Sequence, residues 1–198
     1  MTPSPRVLAL GIAWITLVVL GLAGLTHYSY TPGESGIPGA RFPTGSPITA
    51  TPGRATLVLL AHPHCPCSRA SIEELSKLMT HAAGRLDAHV VFLRPAGFPA
   101  GWERTDLWES AARIPGVRVW ADPDGAEMLR FGAVTSGQVL VYSPAGALIF
   151  AGGITPARGH AGDNLGPDTI LTLLRHGKGE RNRTAVFGCS LRTPHGSS

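Results

Sequence analysis

The sequence is poor in charge. Asp, Glu, Lys and Arg make up only 15% of its 198 residues, against about 25% in a typical soluble domain. The net charge of +4 comes from dispersed basic residues, whereas nucleic-acid binders usually carry a dense basic face. Three cysteines are too few for a disulfide scaffold. The 25 glycines follow no G-X-Y period, which excludes a collagen-like chain. We therefore expect a folded domain with no nucleic-acid partner.

One segment contains no charge at all. Residues 7–26 are twenty apolar or uncharged residues in a row, and about 20 such residues cross a hydrocarbon layer roughly 30 Å thick. They predict one N-terminal transmembrane helix. Arg6 precedes the span and the next positive charge is Arg41, so the positive-inside rule favours cytoplasmic residues 1–6 and a domain in the periplasm or outside the cell. The alternative is a signal peptide cleaved at Gly21 to Gly24.

Two further segments have the composition of linkers. Residues 27–54 are rich in Pro and Gly and show no sustained periodicity, so we expect a tether. Residues 178–198 form a predicted C-terminal tail that is rich in Arg, Gly and Ser. Its exception is the apolar stretch that ends at Cys189, which we expect to dock on the domain.

Between the linkers, residues 55–177 alternate strand patterns with helix patterns. Apolar runs at residues 55–61 and 88–93 are typical of strands buried on both faces. Residues 68–83 have helical three-and-four spacing, and residues 138–150 form a predicted hairpin around a Ser-Pro-Ala-Gly turn. The full predicted order is β-α-β-α-β-α-β-β-α. This order implies an α/β fold with a central mixed sheet covered on both faces.

Two stretches of this domain resemble a known family. Cys65 to Leu75 reads CPCSRASIEEL after an apolar strand, which is similar to C-P-x-C-R-x-x-x-x-x-L. Residues 122–153 follow a progression of D-x-x-G, F-G, strand, G, strand and G. Both resemble the membrane-anchored extracytoplasmic branch of the thioredoxin-like family, over residues 55–176. The resemblance implies a thioredoxin-like three-layer sandwich and an oxidoreductase that exchanges thiols and disulfides with other extracytoplasmic proteins.

The cysteine motif departs from the family pattern. Aligned on Arg69, Cys65 takes the position of the attacking cysteine, Ser68 replaces the resolving one, and Cys67 is shifted inward by one residue. A thiol just before a helix meets the positive end of the helix dipole, which lowers its pKa. We therefore expect Cys65 and Cys67 to be the catalytic pair. Cysteines at i and i+2 form a disulfide only with strain. Cys189 is a candidate resolving thiol for Cys65 or Cys67, or a third thiolate ligand.

A second departure lies before the fourth strand, where the family usually places a cis-proline that faces the cysteines. The matching stretch is Thr135-Ser-Gly-Gln138, so Gly137 stands in its place. Glycine removes the bulk of the ring and leaves the backbone free. We expect Gly137 to line a cleft together with His62, His64 and Ser68, and to give access to a larger substrate or a metal ion.

The two histidines raise an alternative function. Thiolates and imidazoles suit copper and zinc, and four such groups fall within His62-Pro-His-Cys-Pro-Cys67. His62, His64, Cys65 and Cys67 are thus the ligands of an alternative copper-binding, metallochaperone-type protein. Under the redox hypothesis no cofactor is expected, and the protonated histidines lower the cysteine pKa values. A third hypothesis is a scaffold that has kept the fold without redox chemistry. Arg158 and His160 are further candidate site residues.

Overall fold

The computed structural model describes residues 4–82, 84–177, 179 and 181–191. Within these residues one long helix precedes a domain of five strands and four helices, in the predicted order. The elements are α1 (Pro5–Tyr30), β1 (Ala55–Ala61), α2 (Pro66–Ala82), β2 (Leu86–Arg94), α3 (Asp106–Ala112), β3 (Val117–Pro123), α4 (Ala126–Phe131), β4 (Gln138–Tyr142), β5 (Leu148–Gly152) and α5 (Leu165–His176).

The strands form one mixed sheet in the order β3-β2-β1-β4-β5. Strands β1, β2 and β3 are parallel, and β4 runs antiparallel to both β1 and β5. All seven residues of β1 are buried because it lies at the centre of the sheet, which explains its unbroken apolar sequence.

Alternate β1 side chains enter two separate cores. Leu57 and Leu59 face the core formed with α2, α3 and α5, whereas Val58 and Leu60 face the core formed with α4. The predicted sandwich of helix, mixed sheet and helix is confirmed.

Helix α1 is the one helix in the described part of the chain that is long and apolar enough to cross a membrane. It has 26 residues, a mean hydropathy of 2.4 in its most apolar window, and no buried residue. It extends the predicted span at both ends, and residues 27–30 of the predicted tether belong to it. Residues 1–3 of the predicted cytoplasmic segment, and Ala83 at the predicted end of α2, lie outside the described residues.

The rest of the predicted tether lies along the domain. The N–H of Leu148 donates to the carbonyl oxygen of Ala40 at 2.8 Å, and the N–H of Phe42 donates to that of Gly146 at 2.8 Å. Ile48 is buried in the core beside α4. Composition does not indicate these contacts because backbone groups, which every residue carries, make most of them.

Asp122, from the D-x-x-G stretch, holds the first turn of α4. It is fully buried, and its carboxylate accepts hydrogen bonds from the N–H groups of Glu127 at 2.8 Å and Met128 at 3.0 Å. Burial raises the pKa of this carboxyl, and the hydrogen bonds oppose the rise. The side chain therefore joins the end of β3 to α4.

Replacing Asp122 with alanine is expected to lower the free energy of unfolding by about 1–3 kcal/mol, because two N–H groups lose their buried acceptor. Denaturant unfolding of the full chain in detergent measures the loss. The control, replacement of the exposed Asp163 with alanine, is expected to stay within about 0.5 kcal/mol of the unchanged protein. Equal stability of the two variants would contradict this role for Asp122.

Candidate functional site

Cys65 lies in the turn between β1 and α2. Its N–H donates to the carbonyl oxygen of His62 at 3.2 Å, and the N–H of Ser68 donates to the Cys65 carbonyl oxygen at 3.0 Å. Helix α2 begins at Pro66, a residue whose fixed φ suits the first helical position. Both Cys65 and Cys67 are buried, with 3% and 8% of their surfaces exposed. Two shielded thiols thus lie at the start of α2, whose backbone at Cys67 and Ser68 faces Cys65.

The third cysteine lies directly against the first. Cys65 and Cys189 are 124 residues apart in sequence, yet their Sγ atoms are 3.0 Å apart and share a hydrogen bond. This distance exceeds the 2.05 Å of a disulfide bond, and all three cysteines are free thiols. The Sγ atoms of Cys65, Cys67 and Cys189 all lie within 4.8 Å of one another. The structure therefore gathers the three cysteines singled out from the sequence.

Cys189 is carried by residues 182–191, which we call the strap. The strap first follows β5 and then pairs with residues 134–136, where Thr135 and Ser190 form an antiparallel bridge. Val186 and Leu191 bury their side chains. Its main-chain hydrogen bonds link Ala151 N–H to Asn182 O (3.0 Å), Gly153 N–H to Ala185 O (3.2 Å), Gly33 N–H to Val186 O (2.8 Å), Ser136 N–H to Cys189 O (2.8 Å) and Leu191 N–H to Val134 O (2.9 Å).

The three thiols have different acidities. Burial is the largest influence on Cys65 and raises its pKa, but hydrogen bonds from the Cys189 thiol and from the backbone at Cys189, Cys67 and Ser68 together outweigh burial, so the pKa is lowered. Burial and the charge of Cys65 raise the pKa of Cys67. Burial, the hydrogen bond to Cys65 and the neighbouring thiolate charges raise the pKa of Cys189 to about 12. Cys65 is therefore the thiol that ionises first.

Arg158 connects the strap to the end of α1. Its guanidinium donates to the carbonyl oxygens of Gly188 and Thr31 and lies 4.9 Å from the centre of the Tyr28 ring. Its positive charge lowers the pKa values of Cys67 and Cys189, in opposition to the stronger effects above. His160 is exposed, with Nδ1 2.7 Å from the Arg158 carbonyl oxygen. Arg158 thus affects the pKa values of the thiols directly, whereas His160 contacts the backbone of Arg158.

Ser68, which the resemblance aligns with a resolving cysteine, is fully buried. Its Oγ donates to the carbonyl oxygen of His62 at 3.0 Å and lies 2.8 Å from Ser136 Oγ. Ser136 Oγ also accepts a hydrogen bond from the N–H of His62 at 2.9 Å. The pair of hydroxyls thus fastens α2, the cysteine turn and residues 134–136 to one another.

Gly137 adopts a conformation that excludes proline. Its φ is +89° and its N–H donates to the carbonyl oxygen of Leu60 at 2.8 Å, whereas proline has a negative φ and no N–H. A Cβ at this position would lie 2.9 Å from Ser71 Oγ and 3.6 Å from the carbonyl oxygen of Phe187. The carbonyl oxygen of Phe187, in the strap, thus lies beside Gly137, and access for a larger substrate or a metal ion stays a prediction.

The two histidines contact an indole that the sequence did not point to. The rings of His62 and His64 lie 5.8 Å and 4.4 Å from the ring of Trp102, and His62 Nδ1 accepts from the N–H of His64 at 3.2 Å. Burial, followed by the nearby His64, lowers the pKa of His62. Since His62 is then neutral near pH 7, it supplies no positive charge that would lower the cysteine pKa values.

Sequence reasoning missed Trp102, Ser136 and Gly188. Trp102 lies in a segment without periodicity or a known motif, so no local signal marks it. Ser136 lies in the Thr135-Ser-Gly-Gln138 stretch, whose match to the family's proline loop was a usable signal for a place beside the cysteines. Gly188 precedes Cys189 in the one apolar stretch of the tail, and that stretch was a usable signal for docking.

No protein-family model matches the chain, and no curated protein matches it in sequence. Solved structures do match. An uncharacterized conserved protein from Geobacillus kaustophilus aligns with a TM-score of 0.59 and 15% identity over 83% of this chain and 93% of that one. A hypothetical protein from Sinorhizobium meliloti 1021 gives 0.58 and 21% over 82% and 96%. The exposed lipoprotein thioredoxin from Streptococcus pneumoniae gives 0.45 and 17% over 62% and 84%.

The first two of these structures share the fold of this chain over most of its length, and the mixed five-stranded sheet with helices on both faces is the thioredoxin-like architecture predicted from the sequence. At these identities the likeness is one of fold alone. The chemistry of the three thiols is therefore argued from their own geometry.

Replacing Cys189 with alanine is expected to raise the pKa of Cys65, because the thiolate loses a hydrogen-bond donor. A rise of one unit lowers the thiolate fraction about tenfold at a pH below both values. The pH dependence of Cys65 alkylation by iodoacetamide, read by peptide mass spectrometry, gives the midpoint. The matched control, Cys189→Ser, keeps a donor in place and should keep a low midpoint. Identical midpoints in the two variants would show that this hydrogen bond does not set the pKa.

Proposed function

We propose that this protein is a membrane-anchored thiol–disulfide exchange protein in which Cys65 is the attacking thiolate and Cys189 the resolving thiol. The contact between their Sγ atoms at 3.0 Å carries the proposal. The lowered pKa of Cys65 and its place before the first turn of α2 support it, since the thiolate is the form that attacks a disulfide.

The exchange takes place in two steps. The Cys65 thiolate attacks a disulfide of a partner protein; a Cys65–partner disulfide forms, and one partner sulfur leaves as a thiolate. Cys189 then gives its proton to the departing sulfur and attacks Cys65 Sγ, which forms the Cys65–Cys189 disulfide and releases the second partner sulfur. The partner is reduced by two electrons, and this protein is oxidised by two.

The charge on Cys65 sets the order of these steps. While Cys65 is a thiolate, its charge is among the causes that raise the pKa values of Cys67 and Cys189. Once Cys65 is bonded to the partner it carries no charge, so that repulsion disappears and Cys189 ionises more readily. Cys189 is therefore activated by the first step. Cys67, close in sequence to Cys65, forms only a strained disulfide with it and acts as a neighbouring, regulatory thiol.

The sequence also favours one side of the membrane for the domain. Helix α1 is the anchor, and the position of Arg6 before it favours residues 1–6 in the cytoplasm. The domain then lies in the periplasm or outside the cell, where disulfides persist. The partners are extracytoplasmic proteins that carry a disulfide or a dithiol.

Three single variants test the assignment of roles, with insulin as the model disulfide. Cys65→Ser is expected to abolish insulin reduction by the full chain. Cys189→Ser should slow turnover by about a hundredfold, because solution thiols replace a thiol of the same molecule, and the Cys65–insulin adduct should accumulate on non-reducing gels. Cys67→Ser is the matched control and should keep turnover. An adduct that accumulates in Cys67→Ser instead would assign resolution to Cys67.

Copper binding is the second candidate function, and the cluster of three Sγ atoms within 4.8 Å favours it. Thiolates are soft ligands that select Cu(I), whereas structural zinc takes four ligands. Neither His62 nor His64 belongs to this cluster among the described residues. The copper ligands we propose are therefore Cys65, Cys67 and Cys189, and the histidines in the set derived from sequence are replaced by Cys189.

Native mass spectrometry of the reduced full chain with Cu(I) separates the two ligand sets. Cys189→Ser is expected to lose stoichiometric copper, because two thiolates remain of three. His62→Ala combined with His64→Ala should keep it. The reverse pattern would restore the ligand set derived from sequence, and absence of copper from the unchanged chain would remove this function.

A further inference from the structure

The strap is held by main-chain pairing with the extended segment that precedes β4, in the way that one extended peptide pairs with another. Its residues 189 and 191 pair with residues 134–136 through main-chain hydrogen bonds, from Ser136 N–H to Cys189 O at 2.8 Å and from Leu191 N–H to Val134 O at 2.9 Å. Main-chain pairing of this kind gives affinity to any extended segment, while side-chain pockets give selectivity. The surface at residues 134–136 is therefore suited to polypeptides in general.

One position of the strap is selective. A Cβ on Gly188 would lie 1.8 Å from the carbonyl oxygen of Ser136 and 3.3 Å from Thr135 Cγ2. The first distance is with backbone, so no side-chain rotation relieves it. The carbonyl oxygen of Gly188 also accepts from the Arg158 guanidinium. Only glycine therefore fits in the position that precedes the cysteine held against Cys65.

We propose that residues 134–136, Cys65 and Arg158 form a docking site for an extended polypeptide with a Gly-Cys sequence, and that the strap competes for this site within the molecule. The partner's reactive cysteine would take the place of Cys189 beside Cys65, and the strap would leave while the partner is bound. This proposal rests on the proposed function for the exchange step, whereas the docking itself requires no chemistry at the thiols.

Competition by the strap links docking to the redox state. In the reduced protein non-covalent contacts hold the strap, so a partner can displace it. In the oxidised protein the Cys65–Cys189 bond closes the site covalently. The reduced protein is thus the form that binds, which makes proteins with a disulfide the favoured partners. After the first step the returning strap brings Cys189 back to Cys65 and displaces the partner.

A peptide without a thiol tests docking apart from chemistry. The probe is a fluorescent peptide Ala-Val-Phe-Gly-Ser-Ser-Leu, which repeats residues 185–191 with serine for Cys189, and its anisotropy is followed with the reduced full chain in detergent. Gly188→Ala is expected to release the strap. The apparent affinity is the affinity of the open site multiplied by the fraction of molecules in which the site is open. With the strap closed in about nine molecules of ten, the variant should therefore bind the peptide about tenfold more tightly than the unchanged chain.

Two controls accompany the variant. Gly179→Ala changes a glycine of the same tail outside the strap, where a Cβ meets Leu173 at 3.4 Å, and it should bind the peptide as the unchanged chain does. A second peptide with alanine in place of glycine should bind neither variant. Hydrogen exchange should show protection lost at Leu191 N–H in Gly188→Ala and kept in β1.

Peptide binding that is no tighter in Gly188→Ala, or equal binding of the glycine and alanine peptides, overturns the proposal. If the variant also loses hydrogen-exchange protection in β1, it is unfolded, and the test is made on the unchanged chain. There, excess glycine peptide should displace the strap and lower the protection of Leu191 N–H. Protection that the peptide does not alter rejects the docking site. These results do not depend on the exchange reaction. Insulin reduction without peptide binding overturns the docking proposal alone, and peptide binding without insulin reduction overturns only the proposed function.

Discussion

Backbone pairing between residues 134–136 and the strap fixes the distance between two thiols that lie 124 residues apart in sequence. The site depends on this pairing because Cys189 contributes the hydrogen bond that stabilises the Cys65 thiolate. The pairing depends in turn on the sheet. Strand β4 lies beside β1, so the residues that precede β4 come close to the turn that follows β1. The topology thus places a segment that pairs with the strap next to the cysteine turn.

The electrostatics follow from three thiols in one partly buried space. Like charges so close cannot all be present, so one ionisation suppresses the others. The N-terminal N–H groups of α2 and the hydrogen bond from Cys189 make Cys65 the thiolate, and its charge then helps keep Cys67 and Cys189 protonated. A single nucleophile with two latent thiols suits stepwise exchange. A soft metal ion would reverse this balance, since its positive charge favours all three thiolates together.

What the sequence predicted was local. The apolar run of β1, the helical spacing of α2 and the cysteine before a helix are each contained in fewer than twenty residues, and the succession of such patterns predicted the mixed sheet covered on both faces. The contact of Cys189 with Cys65 joins residues far apart in sequence. The apolar stretch before Cys189 indicated that the tail docks on the domain, but not where it docks. The packing of residues 31–54 could not be predicted for another reason. Its main-chain hydrogen bonds use groups that do not differ between residues, and the side chains that reach the core, Phe42 and Ile48, are isolated apolar residues without periodicity.

The C-terminal end of α1 lies next to the thiol site. Tyr28 contacts Arg158, and the same guanidinium holds the strap through Gly188. Tyrosine at the end of a membrane span lies at the level of the lipid headgroups. With α1 as the anchor, the three thiols are therefore close to the membrane surface rather than at the far end of a long linker. Residues 31–54, which lie against the domain, limit its freedom to turn away. Under the proposed function, a partner therefore has to bring its disulfide to that surface.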